Sequence, residues 1–135
     1  MTQETALGTR LRAEVGLLRA RETRRVFDTT VYVGTPGGDR DSFVVRARDV
    51  PAIDGAVRIE VLSVLVERTA DEHRSLWLTR AGTPDPYEQD LAWLRAARAA
   101  FAMHGRVLEG CYAITRYGWR DLLTGESRAW KRLRL

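Results

Sequence analysis

A helix-like segment with defined ends, set between two short apolar runs, narrows the fold more than any other feature of this 135-residue chain. Asp85, Pro86 and Glu88 make a capping-box pattern with proline in the first helical position. Leu91, Leu94, Arg98 and Phe101 then mark one edge, Trp93, Ala97, Ala100 and His104 mark the next, and Gly105 is placed to end the helix. Ser75–Arg80 (SLWLTR) before it and Gly110–Gly118 (GCYAITRYG) after it read as strands. Strand, helix and strand in that order predict a right-handed crossover with the two strands parallel.

The rest of the chain adds to that unit. Leu7, Leu11, Val15 and Leu18 form a narrow apolar stripe within a predicted helix from Thr5 to Arg25. From Val26 the period changes to two, and Val26–Gly34 with Phe43–Arg48 reads as a hairpin around the loop GTPGGDRD. Val57–Arg68 (VRIEVLSVLVER) reads as a further strand. Its alternation changes phase near Leu62–Ser63, which suggests a bulge or burial on both faces. A last hairpin turns at Thr124–Gly125 and pairs Trp119 with Trp130, Asp121 with Arg128 and Tyr117 with Arg132. The expected fold is α+β: residues 1–135 as one domain, with a single-layer mixed or antiparallel sheet of about six strands. Two helices cover it, in the order αββββαββ. A chain of this length buries roughly two-thirds of its unfolded surface and needs no metal or disulfide staple.

Charge is distributed unevenly. Residues 1–110 carry 16 Arg and 16 acidic residues, so the net charge of +4 resides entirely in residues 111–135. There the cations alternate with rings: Arg116, Tyr117, Trp119, Arg120, then Arg128, Trp130, Lys131, Arg132 and Arg134. Such interleaving suits an anionic, base-bearing partner, and it also suits a hairpin stabilised by cross-strand pairs alone. With 21 Arg to a single Lys, the composition points to a GC-rich bacterial genome. Arginine at any one position is therefore weak testimony to guanidinium chemistry.

Little else carries chemistry. One cysteine (Cys111) and two separated histidines (His73 and His104) offer no zinc-type spacing. The glycine-rich loop lacks the GK[ST] ending of a phosphate-binding loop. The order of elements resembles the core of restriction-endonuclease-like nucleases, which implies carboxylates on adjacent strands. Asp54 and Glu60 are the available pair, but Val61 and Leu62 follow Glu60 where an acidic–x–Lys pattern requires lysine. The N-terminus lacks the apolar core of a secretory signal, and no run approaches a membrane span. A cytoplasmic setting is expected.

The sequence therefore predicts a non-enzymatic binding or adaptor domain without catalytic residues, metal ligands or cofactor. Its binding face is Tyr117, Trp119, Arg128, Trp130, Arg132 and Arg134, and its partner is a nucleic acid or an acidic protein surface. The alternative is a self-associating structural or interaction subunit.

Overall fold

The computed structural model describes residues 3–130, of which residues 3–5 by backbone alone. The elements run α1 (Gln3–Arg21), β1 (Thr29–Gly34), β2 (Arg40–Val45), a short 3-10 turn (Ala47–Ala52), α2 (Gly55–Arg68) and β3 (Ser75–Thr79). They continue with α3 (Glu88–Met103), β4 (Gly110–Thr115), β5 (Gly118–Asp121) and β6 (Ser127–Ala129). One mixed six-stranded sheet has the order β2-β1-β3-β4-β5-β6. The β3–α3–β4 crossover gives its single parallel pair, with Leu76 opposite Cys111 and Leu78 opposite Ala113. The α+β class and the six-stranded sheet match the expectation, but the order αββββαββ does not: among the described residues there are three helices, with three strands before α3 and three after it.

The additional helix is α2, where a strand was expected. Asp54 caps it by accepting a hydrogen bond from the Val57 N–H at 2.9 Å. The phase change at Leu62–Ser63 is no bulge: it is what a 3.6-residue period looks like when read with a period of two. Leu62, Leu65 and Val66 are buried, with Ile59 one turn earlier packed beside them. The β-branched residues that favour a strand locally are overruled by this stripe and by the small Ala96, Ala97 and Ala100 of α3 in the same core cluster.

Helices lie on both faces, so the central strands are buried on both. Val31, Val33, Leu76, Leu78, Cys111 and Ala113 face α2 and α3. The alternate residues Tyr32, Trp77, Tyr112, Ile114 and Trp119 face α1, which contributes Leu11, Val15 and Leu18. Tyr32 and Trp77 stack with ring centres 5.3 Å apart, and the Arg40 guanidinium lies over both rings. Arg40 is held in turn by Glu14 on α1, which is 2% exposed and also accepts from the Gly37 N–H at 2.7 Å. A single carboxylate thus ties α1 to the tip and to the second strand of the first hairpin. No described helix is long and apolar enough to cross a membrane.

Arg80, at the end of β3, organises the entry to α3. Its five N–H groups all have acceptors. Nε and Nη2 grip the two oxygens of Asp90 at 2.8 and 2.9 Å, and the others reach the carbonyls of Ala81, Thr83 and Asp85. This pulls the 81–85 segment back over the strand end, and Tyr87 packs on the guanidinium at 4.7 Å. The expected capping box at Asp85 is displaced as a result: α3 begins at Glu88 with Tyr87 at the cap position, and Asp85 instead accepts from the Thr83 hydroxyl. Asp90→Asn should cost about 3–5 kcal/mol in urea unfolding, because it leaves the Arg80 charge buried without a counterion. A loss under about 1 kcal/mol would contradict this role.

Candidate functional site: the recess between the first helix and the last hairpin

The last hairpin forms with its register two residues away from the expected one. Trp119 is opposite Arg128, and Gly118 opposite Ala129; the pairs Trp119–Trp130 and Asp121–Arg128 do not form. Asp121 causes the shift. Its carboxylate accepts from the N–H groups of Leu123 and Thr124 at 2.9 and 3.2 Å, and its carbonyl from that of Gly125, whose φ is 82°. These bonds build a four-residue loop, Leu122–Gly125, in place of a two-residue turn. The chain can then close at Gly118 (φ 155°), where a Cβ would collide with the Arg128 carbonyl.

A shift of two residues keeps every side chain on its face. Trp119, Asp121, Glu126, Arg128 and Trp130 therefore still share one side, and α1 overlies that side. With Leu7, Gly8, Thr9 and Arg12 of α1 they line a recess of about 360 Å³. Trp119 is only 6% exposed, and its indole N–H is buried without an acceptor among the described residues. Trp130 is half-buried between two guanidinium groups, Arg12 at 5.6 Å and Arg128 at 5.8 Å. Tyr117, at the turn from β4 to β5, is 39% exposed, with the Arg116 guanidinium 6.0 Å from its ring.

Of the six expected binding residues, the recess gathers Trp119, Arg128 and Trp130. Tyr117 is outside its lining, and Arg132 and Arg134 fall outside the described residues, as does Lys131. Trp119 is a core residue with one edge at the recess, so it cannot offer a free face for stacking. Arg120 is engaged with the backbone, donating to the Pro84 and Gly125 carbonyls at 2.7 and 2.9 Å. Arg12, Gly8 and Leu7 were not foreseen. They are more than a hundred positions from the hairpin, and no local pattern links them to it.

Groups capable of catalysis are dispersed. Asp54 caps α2 and Glu60 lies within that helix, so neither stands on a strand and the expected pair of strand-borne carboxylates does not form. Ser63 Oγ and His104 Nε2 are 2.6 Å apart, but no described carboxylate orients the ring from its other nitrogen; the pair bridges α2 and the end of α3. His73 Nδ1 bonds the Thr35 hydroxyl at 2.8 Å. Burial pushes the Cys111 thiol well above its ordinary range, with Asp121 and Asp90 adding to the effect, so it stays protonated and unreactive. The Tyr112 hydroxyl is likewise pushed up to about 12, chiefly by burial. Among the described residues, no group of three or more His, Cys, Asp or Glu could hold a metal ion.

Asp121→Ala should loosen the hairpin, lowering stability by about 1–3 kcal/mol and speeding amide exchange along β6, whereas Asp121→Asn, which keeps an acceptor oxygen, should retain most of both. Equal loss in the two variants would contradict the loop account. No protein-family model matches the chain, and no curated protein matches its sequence.

Proposed function

We propose that this protein is a non-enzymatic binding domain that takes a segment of a protein partner into the recess between α1 and the β5–β6 hairpin. One observation carries the reading: the recess offers a half-buried ring flanked by two guanidinium groups, together with two carboxylates. Trp, Tyr and Arg are the residue types that dominate protein contacts. The backbone carbonyls of an extended peptide would meet the Arg128 guanidinium, and its apolar or aromatic side chains the Trp130 ring. Among the described residues β6 is an edge strand of the sheet, which gives such a segment a backbone to lie along.

The same features weigh against nucleic acid. Asp121 and Glu126 stand in the recess and repel phosphates, while Trp119 is too covered to stack on a base. Self-association remains a variant of the same reading, with a second copy supplying the segment.

In a reconstituted complex with a partner isolated by affinity capture, Arg128→Glu combined with Trp130→Ala should weaken binding roughly tenfold or more, without loss of the folded state. Unchanged affinity would overturn the reading. Tight, steeply salt-dependent binding of oligonucleotides that the double variant abolishes would replace the protein partner with a nucleic acid.

A further inference from the structure

A second cavity, of about 250 Å³, lies on the opposite side of the sheet, where the first turns of α2 and α3 meet the ends of β1 and β3. Its walls are mostly apolar: Val45, Val50, Ile53, Leu78, Trp93 and the ring of Tyr87. Two arginines also line it, and they differ in kind. Arg80 is neutralised by Asp90 and has every N–H engaged. Arg58 is not neutralised. It donates one bond, from Nη1 to the Ile53 carbonyl at 3.1 Å, and lies 5.9 Å from the Trp93 ring. Its Nε is buried without an acceptor, and no described carboxylate comes within ion-pairing distance of it. With Nε buried and unsatisfied beside the Trp93 ring, the Arg58 side chain is partly desolvated and has a donor to spare for an anion entering the cavity.

We propose that this cavity is a binding site for a small monocarboxylate with a flat or branched apolar body, its carboxylate drawn to Arg58 and its body against Trp93, Leu78 and Val45. The charge balance sets the class. With Arg80 and Asp90 cancelling, the walls carry one net positive charge, which suits a monoanion and leaves a phosphate dianion unbalanced beside Asp90. The volume sets the size, since it falls below the roughly 300 Å³ at which drug-sized pockets begin. The site is independent of the recess under α1 and stands or falls separately from it.

The test is a titration of the full chain with benzoate, using benzamide as the neutral isostere and phenylphosphonate as the dianion, followed by amide and indole NMR shifts. Benzoate should shift the Trp93 indole and the Arg58 side-chain signals. It should bind roughly tenfold or more tightly than benzamide, the margin expected of a charge-assisted contact, and more tightly than phenylphosphonate. Arg58→Met should remove that margin. Val50→Trp, made at a half-exposed position on the wall, should block all three probes by filling the cavity, and it tests the site even if Arg58→Met fails to fold. No benzoate shift, shifts confined to the recess under α1, equal affinity for benzoate and benzamide, or undiminished binding to Val50→Trp would each overturn the proposal.

Discussion

The central strands of this sheet are apolar on both faces, and that constraint fixes the rest of the molecule. Leu76 and Leu78 need a cover on one side, Trp77 on the other, and the same holds along β4 with Cys111 and Ala113 against Tyr112 and Ile114. One helix layer cannot satisfy both. The pair α2–α3 closes the first face and α1 closes the second. Burying rings of this size contributes about 1.5–3 kcal/mol apiece, far more than any surface ion pair. Trp119 joins this second core as the cross-strand partner of Ile114, so the last hairpin is fastened to α1 through its ring and does not project as a free arm.

The arginines change meaning in this setting. Many of them hold loops by their carbonyls: Arg80 reaches three, Arg120 takes those of Pro84 and Gly125, Arg106 takes that of Thr69 together with the Asp71 carboxylate, and Arg19 binds the Arg116 carbonyl. A rigid fork of five donors can satisfy several backbone acceptors at once, which an ammonium on a flexible stem does poorly. The abundance of arginine therefore serves architecture as much as charge. The arginines at the two proposed sites sit beside rings instead: Arg128 near Trp130 on one face, and Arg58 near Trp93 on the other.

The crossover was legible because its three parts are long, periodic and adjacent in the chain. The first hairpin was legible for the same reason. α2 was not, since Val57, Ile59, Val61, Val64 and Val66 favour a strand locally and only burial against α3 settles the period. The start of α3 was misplaced because Arg80, a residue of the preceding strand, reorganises Asp85 through its carbonyl. The hairpin register depended on whether Asp121 would pair across the strands or fold back on its own loop, and it folds back. That Trp119, Arg128 and Trp130 share one face was legible because side-chain alternation survives a shift of two. The wall supplied by Leu7, Gly8 and Arg12 was not, because only tertiary packing brings α1 to the hairpin.

Trp119 is where the two meanings of the C-terminal segment separate most sharply. As a core residue under α1, its replacement in Trp119→Ala should cost about 3–5 kcal/mol of global stability in equilibrium denaturation, with loss of amide protection extending into β4 and α1. A variant that unfolds within about 1 kcal/mol of the parent, with α1 still protected from exchange, would contradict the account and return Trp119 to the surface.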